Sequence, residues 1–249
     1  MGFFRIWEIP ESAIQGVLGH FNPAIPFSIE ELQSYGFYFD EHRHAHPYIR
    51  EYMLQSLFGE YAGEVIHDYL LECGYGIYAL SLDFNTQRKI ENHFCGRSDE
   101  KSLKIKSGLF ALTDEILFVE DPYQKRKYHP CISARQTYSY KSLTDYERWC
   151  YDRLYVDFFY HRQDAFWKNE AMKKLPPLIS STGMLVCGED LGMIPQSVPE
   201  VMNALQILSL EIQRMPKDPD KEFGDVANYP YLSVSVSYTH LTLPTNSRV

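Results

Sequence analysis

Met184-Leu185-Val186-Cys187-Gly188-Glu189-Asp190-Leu191-Gly192 is an apolar run that ends abruptly in two adjacent carboxylates and a glycine. A short apolar run bounded in this way predicts a buried strand over Met184 to Gly188. In a parallel (β/α)8 barrel the strand bodies fill the core, and the loops at their C-terminal ends line the open face. Glu189, delivered by such a strand end, is therefore the leading catalytic candidate. Upstream, a helical pattern runs from about Thr144 to Lys174, with Tyr146, Cys150, Leu154 and Phe158 recurring every four residues as one apolar stripe. Leu175-Pro176-Pro177-Leu178 is expected to stop it. Downstream, Ser197-Val198-Pro199-Glu200 predicts a helix start, with the serine capping an amide and Glu200 reaching back. Ile207 to Ile212 then predicts the next strand, ending in Gln213 and Arg214. Helix followed by strand, repeated, is the order a parallel α/β barrel requires.

The rest of the chain is organised differently. Residues 1 to 10 read as an aromatic strand end or loop closed by Pro10, and Pro23 and Pro26 mark an irregular connection. From Tyr48 to Glu72 apolar residues recur at helical spacing, with Gly59 and Gly63 as breaks. Asp83 to Phe94 and Asp99 to Phe118 predict further helices, so residues 28 to 120 read as an α-helical insertion. A barrel needs about 250 residues before any insertion. The chain has 249 in all, so the expected fold is α/β, a partial (β/α)8 TIM barrel carrying a helical insertion.

Composition narrows the function classes. Asp and Glu exceed Lys and Arg by enough to give a net charge of -9, which argues against a nucleic-acid partner, since phosphate binding depends on clustered cations. Cys73, Cys95, Cys131, Cys150 and Cys187 are widely spaced and lack a C-x-x-C pair, so a reducing compartment is expected and a disulfide framework is not. No stretch approaches the roughly 18 apolar residues of a membrane span. The expectation is a soluble cytoplasmic protein.

Each candidate residue has a functional and a plain reading. Glu189 fits a proton donor whose pKa an apolar setting would raise, or an acid that merely favours a helix N-terminus. Asp190, on the opposite face of an extended segment, is assigned to support or to sugar hydroxyl contacts. Trp7 offers a face for stacking on a sugar ring, or is core. Gln213 and Arg214 bind hydroxyls or orient a carboxylate, or form a structural ion pair. Tyr138 and Tyr140, read as loop residues, are weaker sugar platforms, whereas Phe158 and Phe159 read as core. His42, His44 and His46 alternate as metal ligands do but lack a second ligand cluster, so they read as a solvated loop and no metal site is expected. Gln124-Lys125-Arg126-Lys127 reads as a solvated turn.

The block Leu185-Val186-Cys187-Gly188-Glu189-Asp190-Leu191-Gly192-Met193-Ile194-Pro195 resembles the acid/base segment of 4-α-glucanotransferases, the amylomaltase or disproportionating enzymes of glycoside hydrolase family 77. Gly2-Phe3-Phe4-Arg5-Ile6-Trp7-Glu8-Ile9-Pro10 and Gln213-Arg214-Met215-Pro216 are similar to two further segments of the family, in the same order. The long insertion and Tyr138-Ser139-Tyr140-Lys141 are similar to its plant-cytosolic-like and Bacteroides-like branch. The resemblance implies retaining transfer of α-1,4-glucan segments between maltodextrins, with maltose, starch or glycogen as related partners and no cofactor. Two carboxylates across one bond, about 5–5.5 Å apart, perform such chemistry, and Glu189 resembles the general acid/base.

The resemblance also implies departures. The family's nucleophilic aspartate lies in an Arg-Ile-Asp-His segment before the text that begins at Gly2, and Leu241 stands where a third carboxylate is expected after His240. Residues 236 to 249 read as a non-native tail, leaving 1 to 235 as the partial catalytic domain. Taken alone the chain is expected to be inactive. A non-catalytic glucan-binding fragment and a retaining α-glucan hydrolase are the alternatives.

Overall fold

Short polar side chains decide where most helices begin. Ser28, Asp40, Thr86, Asp99, Thr137 and Thr144 each accept a hydrogen bond from a backbone amide in the first turn that follows, satisfying donors that would otherwise lack a partner. Ser28 and Thr144 form full capping boxes with Glu31 and Glu147. The computed structural model describes residues 7–190 and 194–236. It divides the chain into two compact units, Met1–Phe159 and Tyr160–Val249.

The first unit holds β1 (Phe27–Ser28), α1 (Ile29–Ser34), α2 (Glu41–His44), β2 (Ile49–Arg50), α3 (Glu51–Phe58), α4 (Ala62–Tyr69), β3 (Leu70–Gly74), β4 (Ile77–Leu80), α5 (Gln87–His93), α6 (Glu100–Thr113), β5 (Phe118–Glu120), β6 (Lys127–Pro130), α7 (Tyr138–Lys141) and α8 (Asp145–Asp157). Two three-stranded antiparallel sheets result, in the orders β1-β6-β5 and β2-β4-β3. The helices predicted over Tyr48 to Glu72 divide at Gly59, whose φ of 57° suits a residue without a side chain. Gly63 lies inside α4 instead. Residues 28 to 120, read as an α-helical insertion, hold strands among their helices: Leu70 to Leu80 folds as a hairpin around Tyr75 and Gly76, both at positive φ. Met53, Leu54, Phe58, Val65, Ile90, Leu109 and Leu112 are completely buried in the core beneath this sheet. A second core gathers Phe27, Phe37, Phe118, Tyr128, Tyr151 and Phe158, with the Tyr151 hydroxyl donating to Leu117 O at 2.9 Å.

The long helix predicted from Thr144 is interrupted. A π turn over Phe158–Arg162 ends α8, and Cys150, Leu154 and Phe158 are buried as the stripe requires, whereas Tyr146 at its head is exposed. Phe159 is also buried, as read.

In the second unit α9 (Asp164–Ser180) runs through Pro176 and Pro177, which corrects the stop expected there. Proline fits helical φ, and the carbonyls it leaves without donors belong to Met172 and Lys173, both exposed to water. α10 (Ser197–Ala204) begins where predicted but without the capping box. Ser197 N instead donates to Asp164 Oδ1 at 2.9 Å, and Lys168 pairs with Glu200 at 2.6 Å. β7 (Ser209–Ile212) pairs with β8 (Ser233–Val236) in parallel, and Cys187 forms a parallel bridge to Leu208 just before β7. Three chain segments thus run side by side in one direction. The buried strand expected over Met184 to Gly188 is reduced to this bridge. Met184 and Leu185 are exposed because only Leu208 pairs with the segment among the described residues. The chain mixes helices with small sheets, and the sheets among the described residues have three, three and two strands.

Candidate active site

Parallel pairing fixes what the second unit presents at one edge. Gly188 N donates to Leu208 O at 2.8 Å and Leu208 N to Val186 O at 2.9 Å, so the chain leaves the bridge at Glu189 beside the start of β7. Alternation then separates the two carboxylates. Glu189 is exposed, with no hydrogen-bond partner for its carboxylate among the described residues, while Asp190 is buried. The desolvated setting expected for Glu189 is not supplied by the described residues. Leu191, Gly192 and Met193, the residues from Gly2 to Ile6 and the tail from Ser237 lie outside the described residues.

Asp190 has both oxygens engaged. Oδ1 accepts from Leu210 N at 2.9 Å and Oδ2 from Lys217 Nζ at 2.7 Å. The same ammonium donates to Glu211 Oε1 at 2.7 Å, and Glu211 is itself buried within β7. One cation thus bridges two buried carboxylates. Burial pulls the Lys217 pKa down, but its hydrogen bonds to Asp190 and Glu211 outweigh this and leave it above the usual lysine range. Sequence reasoning missed Lys217 and Glu211. A signal was present in Glu211, an acid inside the apolar run Ile207 to Ile212, because a buried carboxylate demands a partner.

Gln213 and Arg214 follow Ile212 at the end of β7 and are exposed. The Gln213 amide donates to Val236 O at 2.9 Å and its carbonyl accepts from Gly224 N at 2.7 Å, so the backbone is fixed while the side chain points outward. Glu189 and Gln213 thereby lie at the same, C-terminal, edge of the parallel segments.

The first unit holds the other sugar-contact candidates in structural roles. Trp7 is half-buried, donates from Nε1 to Gly16 O at 2.9 Å, and meets Phe21 edge-on at 5.3 Å. A side-chain carbon at Gly19 would come within 2.3 Å of its indole, so the ring is packed. Tyr138 and Tyr140 lie in α7, not in a loop. Tyr140 donates to Asp152 Oδ2 at 2.9 Å, and the Tyr138 hydroxyl lies 3.2 Å from Ser56 Oγ. The histidine run also departs from the solvated loop expected. α2 buries His44, whose Nδ1 accepts from Asp40 N at 3.0 Å and whose pKa burial lowers to about 4. Gln124, Lys125 and Arg126 form an exposed turn, as read, which leads into β6 at Lys127, with Lys125 3.6 Å from Glu120.

The sequence profile of the 4-alpha-glucanotransferase family matches residues 1–247. The chain is also similar to 4-alpha-glucanotransferase DPE2 of Oryza sativa subsp. japonica, at 38% identity over 245 residues, which covers 96% of this chain and 26% of that protein. It therefore spans about a quarter of the length of that relative. No solved structure matches it significantly.

Proposed function

This chain belongs to the 4-alpha-glucanotransferase family, and from that premise we propose that residues 1–235 are part of a catalytic (β/α)8 barrel in which Glu189 is the general acid/base of a retaining glucan transfer. In this reading residues 28–120 are an insertion in the barrel. Glu189 protonates the departing glycosidic oxygen of a maltodextrin while a second carboxylate attacks the anomeric carbon. The same group then takes a proton from the 4-hydroxyl of the acceptor, as reversal of the proton path demands. Starch or glycogen, maltodextrins and maltose are the substrate class.

The observation that carries this reading is the division of labour between neighbours. Glu189 stands open at the C-terminal edge of parallel segments, while Asp190 is turned inward and held by Lys217 and Leu210 N. Strand-end loops on that edge are where barrel enzymes keep their reacting groups. Asp190 accordingly supports the strand end, and Gln213 and Arg214 face the acceptor or donor sugars. Trp7, Tyr138 and Tyr140 shape the first unit beneath whatever sugar contact they make. No helix among the described residues is long and apolar enough to cross a membrane, and the five cysteines are unpaired, which suits a reducing, cytoplasmic setting.

The test is Glu189→Gln in the full-length polypeptide. Losing a positioned proton donor should slow maltotriose disproportionation by about 10²–10⁴-fold. Attack on a maltosyl fluoride, whose leaving group needs no protonation, should survive far better. Disproportionation within tenfold of the unaltered protein would remove Glu189 from the role.

A further inference from the structure

Helix α8 carries a second stripe besides its buried one. Tyr146, Trp149 and Arg153 follow one another at intervals of three and four residues, so they line one side of the helix. Tyr146 and Trp149 remain 58% and 54% exposed, and Tyr38, from the segment between α1 and α2, is 79% exposed. Leaving a large ring in water forgoes the gain of burying its apolar surface. Isolated exposed rings are ordinary, but a cluster marks a contact surface.

These rings are held in place. The Tyr146 hydroxyl hydrogen-bonds Cys150, which together with nearby Tyr38 raises its pKa. It sits against Gly36, where an added side-chain carbon would fall 2.6 Å from the hydroxyl and φ is already +85°. The Arg153 guanidinium lies 4.7 Å from the Trp149 ring centroid and 5.5 Å from that of Tyr35, bracing the indole. Tyr146 and Trp149 have centroids 6.1 Å apart and ring planes 30° apart, two rigid faces set at a shallow angle. Charges at the rim are balanced: Asp145 pairs with Arg148, and Arg135 with Asp152.

We propose that Tyr38, Tyr146 and Trp149, with Arg153 at their edge, form an accessory platform for an α-glucan chain on the first unit. The proposal rests on the α-glucan reading above. Sugar rings present an apolar C–H face that stacks on aromatic rings and hydroxyls that take hydrogen bonds from a guanidinium. A neutral, curved α-1,4-glucan matches two tilted faces with balanced charge around them. Tyr, Trp and Arg also anchor protein–protein contacts, so a polypeptide occupant is an outcome that the test below separates from glucan. The platform would keep a polymeric substrate attached between transfers.

Affinity electrophoresis of this chain in native gels containing glycogen, with maltoheptaose titration, tests it. The unaltered chain should be retarded. Trp149→Gln should weaken maltoheptaose binding by about tenfold, the loss of one stacked ring, and Tyr38→Ser, at a position open enough to leave folding intact, should weaken it severalfold. Unchanged circular dichroism would show that the fold is kept. No retardation of the unaltered chain overturns the proposal, as does equal retardation in both variants, because glucan would then be held elsewhere. It is equally overturned if Trp149 of the full-length polypeptide is shielded from acrylamide quenching before glucan is added, because other polypeptide would then cover it. Retention is read without turnover: retention that Trp149→Gln abolishes supports the platform whatever Glu189→Gln does to transfer, and a failed Glu189→Gln test sinks only the catalytic reading.

Discussion

Lys217 Nζ lies 2.7 Å from Asp190 Oδ2, across a separation of 27 residues, and in reaching it also satisfies Glu211. The two carboxylates are 6% and 8% exposed. Lys217→Met would leave two buried acids facing one another. Removing one partner of a buried pair costs about 3–5 kcal/mol, and the lower figure applies because the Lys217 side chain is 34% exposed. Urea unfolding of the second unit should therefore shift to clearly lower midpoint. Adding Glu211→Gln should restore part of the loss by removing one of the unpaired charges, and no recovery would mean that Glu211 is not part of the network.

Gly108 and Phe58 make a second, independent prediction. Gly108 is buried in α6, and a methyl group there would come within 2.2 Å of the Phe58 ring, which is itself fully buried. In an exposed helix, Gly→Ala would stabilise by about 1 kcal/mol. Here overpacking should reverse the sign, costing about 1–3 kcal/mol. Gly108→Ala should lower the thermal midpoint, and Phe58→Leu in the same chain should recover part of it. A stabilised Gly108→Ala would show that α3 and α6 yield more easily than their packing indicates.

These two contacts show why only part of the molecule was legible in the sequence. Periodicity located α3, α4, α6 and α8, because a helix's own spacing records which side is apolar. It could not tell that Tyr146, in register with Cys150 and Leu154, stands beyond the edge of the core. Pro176 and Pro177 looked like a stop because each removes a helical donor, and the sequence does not show that Met172 and Lys173, whose carbonyls lose them, face water. The hairpin from Leu70 to Leu80 was hidden because its pairing is set by the turn at Tyr75 and Gly76 rather than by alternation. The Glu189-Asp190 pair could be read from its position after an apolar run, whereas Lys217 follows a proline in a polar segment with nothing local to tie it to Asp190. Long-range charge pairing leaves no spacing to read.

Removing the α8 cap offers a local test of the platform's support. Thr144 Oγ1 accepts from Glu147 N at 3.3 Å, and Glu147 Oε2 accepts from Thr144 N at 2.8 Å. Thr144→Ala should cost about 1 kcal/mol and should fray the turn that carries Tyr146. Faster amide exchange over residues 146 to 149, with the rest of α8 unchanged, is the expected signature. Uniformly faster exchange along α8 would place the helix's stability elsewhere.

Acid should destabilise the first unit through buried histidines. Burial holds His44 and His129 at about 4, although His129 also hydrogen-bonds Asp121 at 2.8 Å. Unfolded histidine titrates near 6.5, so between about pH 6.5 and 4 the unfolded chain binds protons that the folded chain refuses. Stability from these two groups is present above that window and is lost as pH falls through it, at no more than about 1.4 kcal/mol per pH unit for each. Asp114 opposes them. Burial pushes it up to about 7 despite hydrogen bonds from Gln87 and Thr113, so the folded chain keeps a proton that the unfolded chain releases, and stability from this group falls as pH rises from about 4 to 7. Two groups against one leave a net gain in stability from pH 4.5 to 6.5. Asp114→Asn should steepen that rise by removing the opposing group, raising the urea midpoint at pH 7 while leaving pH 4.5 nearly unchanged. His129→Asn should flatten it. A midpoint that is flat with pH in the unaltered chain, or an Asp114→Asn profile parallel to it, would mean that these groups titrate alike in both states.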